Sequence, residues 1–351
     1  MNKKYSELAE LFRSEKTDEE ILDFLLNYHK NDIADMMAGM TEEERKRLYH
    51  LLGAQKVAEI FKYIEEPRKY IRELSVESAA RVISEMDSDD AVDLLEDLDP
   101  EEKEQIVRML DEDAKKDVKM LLSYDEEEIG SCMTTNYICI PEDLTIKQAM
   151  SELVKQAGEN DNIMTIYVVD EKGVFAGAID LKDLIRAREN THLEDLVLKS
   201  YPYVTDHEKI DDCMDRILDY AEDSIPVLSE DKRILGVITS EDLIEMVDNE
   251  MGEDYAKLAG LTAEEDLKEP IVQSMKKRLP WLIILLFLGM GVSSVVGLFE
   301  NVVAVLPIVI CFQSLVLDMA GNVGTQSLAV TIRVLMDENL TGKQKFQLVV
   351  K

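Results

Sequence analysis

The chain changes solvent near Leu279. Everything before that point is rich in charge, and Trp281–Phe299 (WLIILLFLGMGVSSVVGLF) then runs 19 residues without one. A hydrocarbon core about 30 Å thick needs about 20 apolar residues of helix. The stretch therefore reads as a membrane span, with a soluble apparatus attached to it. A second uncharged run, Val302–Leu317, follows after only Glu300 and Asn301, which leaves room for a tight reversal. The alternative, a buried apolar hairpin in a soluble protein, would make the flanking charges a coincidence. Lys276, Lys277 and Arg278 precede the first run, and Arg333, Lys343, Lys345 and Lys351 follow the second. Basic residues beside spans stay cytoplasmic. Both soluble flanks are thus expected inside the cell, under an inner or plasma membrane, with the tip near Glu300 outside. Met1–Glu10 is polar and carries no apolar signal-peptide core.

A formal net charge of −34 argues against nucleic acid as a partner, because its phosphates would be repelled. Apolar residues make up 46% of the chain, enough for the acidic part to fold rather than stay disordered. Cys132, Cys139, Cys213 and Cys311 show neither zinc spacing nor a disulfide framework, and the four histidines show no ligand spacing.

Residues 1–128 read as an all-α superhelical domain. Apolar residues recur at helical spacing in Ile21-Leu22-Phe24-Leu25, Ile33-Met36-Met37, Leu48-Leu51-Leu52, Val57-Ile60-Phe61 and Val92-Leu94-Leu95. Thr17 with Glu20 and Thr41 with Glu44 have capping-box spacing. Asp99-Pro100-Glu101-Glu102 places a cap, a proline at the first helical position and acids at the positive dipole end. Helices this short need stacking to bury a continuous stripe.

Residues 130–247 change to strand-like runs: Tyr137–Ile140, Thr165–Val169, Phe175–Ile179, Tyr203–Thr205, Ile225–Leu228 and Ile234–Ile238. GAIDLKDLI (Gly177–Ile185) and GVITSEDLI (Gly236–Ile244) repeat at an offset of 59 residues, each with a glycine expected to end a hairpin. The duplication resembles a tandem of cystathionine-β-synthase (CBS) modules, an α/β pair. That resemblance implies adenine-nucleotide (ATP) binding between modules through Asp183 and Asp242, against the plainer reading that both aspartates only cap helices. A long acidic helix is expected from Glu241 to Gly260, passing into a connecting segment over residues 248–278.

Signatures of catalysis are missing, so no enzyme is expected. Carboxylates stand in their place. Asp89 and Asp93 lie at i, i+4 on one helix, and Glu245, Glu250, Glu253 and Asp254 lie on the connecting helix. Mg²⁺ takes oxygen ligands, keeps several waters and needs one or two carboxylates. Ions of this kind would stabilise two acidic faces that repel each other, although any single carboxylate also reads as a solvated surface group. The second span holds Asp318-Met-Ala-Gly-Asn-Val-Gly-Thr-Gln326. An acid and amides in a membrane point to a cavity or partner, and Gly321 and Gly324 allow close approach and accessible carbonyls.

In this order, an acidic helical domain, a CBS pair, an acidic connecting helix, a basic Pro-Trp entry and GNVGTQSLAVTIR (Gly321–Arg333) resemble the MgtE family of magnesium channels. The resemblance implies a homodimer in a lipid membrane, closed by cytosolic Mg²⁺ that draws the connecting (plug) helices together. It implies sensing carboxylates at Asp89, Asp93, Asp242 and Glu245, with Glu250, Glu253 and Asp254 as plug-helix counterparts. Gly321, Asn322, Gly324 and Gln326 would line the pore. Residues 279–351 would be the first two helices of a five-helix pore domain. The family's ion-selecting aspartate lies in its last helix, beyond Lys351, so a fragment is expected. Asp318 stands where the family usually has a small neutral residue, either as an added pore ligand or facing water. The competing expectation is a membrane-anchored subunit that senses adenine nucleotide and conducts nothing.

Overall fold

The computed structural model describes residues 17–64, 66–158, 160–188, 191–258, 271–299, 305, 307–336 and 342–350. The chain divides into two compact units, Met1–Leu243 and Ile244–Lys351.

The first unit opens with short helices: α1 (Asp18–Leu25), α2 (Lys30–Met37), α3 (Glu42–Phe61), α4 (Pro67–Ile71), α5 (Val76–Ser84), α6 (Ser88–Glu96), α7 (Pro100–Met109) and α8 (Glu112–Leu121). Most are too short to hold in water alone. They pack on the next helix but one, α3 on α5, α5 on α7 and α6 on α8. This stacking buries one stripe from Ile21 and Leu25 through Met37, Leu48, Phe61, Ile83 and Leu95 to Leu121. Thr17–Glu20 and Thr41–Glu44 form complete capping boxes, as their spacing predicts. Within α3, Gly53 (φ 76°, ψ 169°) breaks the helical path, so the two apolar groups on either side belong to separate helical pieces. Asp99 departs from expectation: it makes no capping bond. Its carboxylate instead accepts from Arg68 Nη2 at 2.9 Å and from Arg72, because charged donors bind a carboxylate more strongly than an exposed amide does. Arg45, 6% exposed, donates from Nε to Glu73 Oε2 at 2.9 Å and from Nη1 to the Met37 carbonyl at 3.2 Å. This ion pair ties α3 to the chain ahead of α5.

Two modules follow with identical topology. The first has β1 (Ile138–Pro141), α9 (Ile146–Gln156), β2 (Thr165–Val169), β3 (Phe175–Asp180) and α10 (Leu181–Arg186). The second has β4 (Val204–Thr205), α11 (Ile210–Leu218), β5 (Ser224–Leu228), β6 (Ile234–Thr239) and α12 (Ser240–Leu258). In each, the first two strands are parallel and the last two antiparallel. The hairpin registers coincide, with Val168 opposite Gly177 and Val227 opposite Gly236, and both hairpins shift register at the next residue.

The repeated glycines do not end their hairpins; they sit inside β3 and β6. Leu198, ahead of the second module, bridges to Ala178 in the first, and Thr134, ahead of the first, bridges to Val237 in the second. A Cβ on Gly177 would lie 2.6 Å from the Leu198 carbonyl oxygen, and one on Gly236 would lie 2.7 Å from that of Thr134. Glycine is therefore required where each module admits the backbone of the other's entry segment. Between the modules, the buried Tyr167 shares a 2.6 Å hydrogen bond with Ser224 Oγ, and Tyr201 donates to the Ser224 carbonyl at 2.7 Å.

Helix α12 starts in the first unit and runs unbroken to Leu258, where a helix from Glu241 to Gly260 is expected. Gly260, Pro270, Glu300 and Asn301 lie outside the described residues, as do the side chains of Glu250, Glu253 and Asp254. The second unit contains α13 (Ile271–Leu298), α14 (Pro307–Met336) and α15 (Gly342–Val350). Among the described residues, Ser274–Leu298 is long and apolar enough to cross a membrane, with a mean hydropathy of 2.3 over its most apolar 18 residues. Its side chains point outward on all sides, Phe287 being 64% exposed, which suits lipid and not water. The helix begins well ahead of Trp281, so the Lys276-Lys277-Arg278 collar is its first turns rather than a loop. Helix α14 likewise continues past Leu317 and carries Asp318–Gln326 within it.

Candidate metal centre

Two helix starts meet in the first unit, and each is acidic. Helix α6 begins at Ser88 with Asp89 and Asp90 in its first turn, where the positive end of the dipole favours carboxylates. Ser88 is buried, and its Oγ accepts the Thr135 N–H at 2.9 Å, while Asp87 Oδ1 accepts from Asn136 Nδ2 at 2.8 Å. These bonds hold the head of α6 against the entry to the CBS pair. The other start is that of α12. Thr239 N–H donates to Asp242 Oδ2 at 2.7 Å, and Asp242 N–H donates to Thr239 Oγ1 at 3.3 Å. This reciprocal cap fixes Asp242. Lys62 closes the C-terminal end of α3, with Nζ 3.1 Å from Glu241 Oε2, 3.8 Å from Asp87 and 3.9 Å from Asp90.

The carboxylates are crowded and poorly solvated. Burial raises Asp89 well above the ordinary aspartate value, and the charges of Asp242, Asp90 and Asp87 raise it further. Its Oδ1 is sealed from solvent and meets no hydrogen-bond donor. Burial likewise pushes Asp90 up to about 7 against the opposing pull of Lys62. Asp242 is raised chiefly by burial, in spite of its bonds to Thr239. For Lys62, burial acts downward, but Asp90, Glu241 and Asp87 outweigh it and leave the ammonium raised. The thiol of Cys132 is pushed up to about 11 by burial and by the charges of Asp93, Asp242 and Asp89. Such a site takes up either protons or cations to relieve its own repulsion.

Among the described residues, no three His, Cys, Asp or Glu side chains close around one point as a dehydrated metal ion requires. The fit is instead to an ion that keeps its water and touches few carboxylates, which is the habit of Mg²⁺. The buried Asp89 Oδ1 has no hydrogen-bond donor to compete for it.

The sequence-derived candidates separate accordingly. Asp89 and Asp242 come together. Asp93 lies one turn along α6 and is exposed, and Glu245 is exposed one turn along α12. Asp183 is exposed on the short α10, whereas Asp242 already spends an oxygen on its cap. Asp318, Asn322 and Gln326 stand at i, i+4 and i+8 of α14 and so share a face. Gly321 and Gly324 have nothing within 4 Å of an added Cβ. The backbone there is continuous α-helix, and Thr325 Oγ1 donates to the Gly321 carbonyl at 3.1 Å. Lys62, Asp87, Glu241 and Cys132 escape sequence reading, whereas Asp90 is visible there as the neighbour of Asp89. The Asp-Ser-Asp-Asp run at Asp87–Asp90 is visible in the chain, but nothing local points from it to Lys62 or Glu241.

The comparisons match this architecture. The profile of the MgtE intracellular N domain matches residues 28–127, and that of the CBS domain matches residues 127–190 and 193–249. A magnesium transporter MgtE from Enterococcus faecalis is 38% identical over 339 residues, covering 95% of this chain and 74% of that protein. The Bacillus subtilis magnesium transporter MgtE is 32% identical over 232 residues, covering 65% of this chain and 51% of that protein. The crystal structure of the soluble part of a magnesium transporter superposes with a TM-score of 0.67 at 29% identity, covering 70% of this chain and 98% of that one. The cytosolic domain of the Mg²⁺ channel MgtE in complex with ATP superposes with a TM-score of 0.62 at 27% identity, covering 69% of this chain and 99% of that one. With the acidic helical stack, the paired modules and the relative from Enterococcus faecalis in agreement, the chain belongs to the MgtE family of magnesium transporters.

Proposed function

We propose that this chain is the Mg²⁺-sensing part, with the beginning of the pore, of a homodimeric Mg²⁺ channel in the cell membrane, with its N-terminal domains in the cytoplasm. The observation that carries this reading is the junction of α6 with the head of α12, where Asp89 keeps a sealed oxygen without a donor among the charges of Asp87, Asp90 and Asp242. When Mg²⁺ is scarce, repulsion loosens the helical domain from the CBS pair. When it is plentiful, hydrated ions bridge Asp89 and Asp93 to Asp242 and Glu245, and Glu250, Glu253 and Asp254 extend the same response along the plug helix. An ion shifts such an equilibrium only by its differential affinity for the two states. Residues 1–128 would sense, 130–247 would dock, 248–278 would transmit, and 279–351 would bring Asp318, Gly321, Asn322, Gly324 and Gln326 to the pore. The test is limited proteolysis of the full chain in detergent, titrated with Mg²⁺ at constant ionic strength. Saturable protection that matched monovalent salt does not reproduce is the expected result, and equal protection by both salts would defeat the reading.

A second, compatible reading is favoured by the free state of Asp183 and by the relative crystallised with ATP. Nucleotide would bind on the side of Asp183, not Asp242, whose carboxylate is engaged by Thr239. Calorimetry with ATP should show binding that is lost in Asp183→Ala and kept in Asp242→Asn. The reverse pattern would place the nucleotide at the other module.

A further inference from the structure

Lys62 is the counter-charge that this junction carries within itself. Its backbone is anchored, since its N–H caps α3 on the Ala58 carbonyl, and the negative end of a helix dipole favours a cation at that place. Its side chain is 28% exposed, and its Nζ meets Asp87 and Asp90 on the α6 side and Glu241, 3.1 Å away, on the α12 side. One positive charge thus spans both partners of the contact, facing Asp87 and Asp90 on one side and Glu241 and Asp242 on the other.

We propose that Lys62 is a built-in cation of the acidic junction, which bridges the helical domain to the head of α12 when Mg²⁺ is low and competes with the ion for the Asp87 and Asp90 oxygens. This role rests on the reading of the junction as a Mg²⁺ site. An ammonium is a compact point charge on a flexible stem, so it can occupy the place of a hydrated ion and yield it. It leaves Asp89 unserved, because Asp89 Oδ1 has no donor. Lys62 therefore holds the junction partly shut without metal, and it lowers the number of ions taken up on closure. The response to Mg²⁺ is then shallower than the acid count alone would give.

The test compares wild type, Lys62→Gln and Lys62→Arg as full chains in detergent, with equal far-UV circular dichroism confirming the fold. Proteolytic cleavage is followed without Mg²⁺ and across a Mg²⁺ titration at constant ionic strength. Lys62→Gln should be cut about fivefold faster than wild type without metal, the scale expected for losing a partly exposed ion pair. Its protection should rise more steeply with Mg²⁺ and reach the wild-type level at saturation. Lys62→Arg, which keeps the charge, should restore both features. Wild-type cleavage and steepness in Lys62→Gln would overturn the proposal, and so would an arginine variant that behaves like the glutamine one. A wild type that Mg²⁺ does not protect would defeat the sensing reading instead, and the metal-free rates would still decide whether Lys62 clasps the junction.

Discussion

The two CBS modules share a hairpin register residue for residue, yet their closing helices differ. Helix α10 has six residues, Asp180 at its cap makes no capping bond, and Asp183 faces solvent. Helix α12 has 19 residues, Thr239 caps it reciprocally with Asp242, and its head meets the acids of α6 and the ammonium of Lys62. A duplication therefore fixes the sheets, while one substitution at the cap and a longer helix decide what each module faces. The first leaves its aspartate exposed, and the second uses the matching one to build a contact.

The sharpest challenge to this comparison is to close the gaps that both modules share. Gly177→Val and Gly236→Val each put a Cβ into a carbonyl oxygen of the other module's entry segment, and each should cost roughly 3 kcal/mol or more in chemical denaturation. Gly177→Val should be the worse, because Gly177 also has φ +151°. Equal, mild losses would mean that the entry segments are not held where the bridges place them.

Next in size is Asp89→Asn. Removing a crowded charge should raise the metal-free melting temperature by several degrees, as about 1–2 kcal/mol would in a domain of this size, and should abolish most of the stabilisation by Mg²⁺. Asp183→Asn, at an exposed aspartate away from the junction, should change neither.

Acidity should act in the same direction as neutralisation. Asp89, Asp90 and Asp242 have folded values raised above their unfolded ones, so the folded, metal-free junction holds protons more tightly. Its contribution to stability is intact below the unfolded value of about 4. It is lost as pH rises through the folded values, about 7 for Asp90. Stabilisation by Mg²⁺ should grow across that window, since the ion displaces protons. Thermal shifts measured from pH 5 to pH 8 check this, and a flat profile would contradict it.

The smallest effect concerns the caps. Thr239→Ala should cost about 1 kcal/mol, and Asp180→Ala should fall within about 0.5 kcal/mol of wild type. Equal costs in urea denaturation would erase the distinction between the two helix starts.

Much of this was legible in the sequence where the determinants are local. The six strands lie within a residue of their expected positions at every end, because short runs rich in β-branched residues between turns signal themselves. Thr17 and Thr41 cap as their spacing implies, since the partner is three residues away. What depends on distant partners was hidden. Asp99 resembles a cap but is taken by Arg68 and Arg72. Gly177 and Gly236 look like turn residues, but they are gaps for a chain arriving from the other module. Asp89 was legible as an acid on a helix, but its sealed oxygen and the reach of Lys62 to Glu241 exist only once the helical stack has folded onto the CBS pair.

The most direct measurement is a double-mutant cycle on the Mg²⁺-induced thermal shift of the full chain, using Asp89→Asn, Asp242→Asn and the pair. If hydrated Mg²⁺ bridges these two residues, each single change should remove most of the shift and the second should remove little more. Independent, additive losses, or a shift that survives both changes, would contradict the bridge.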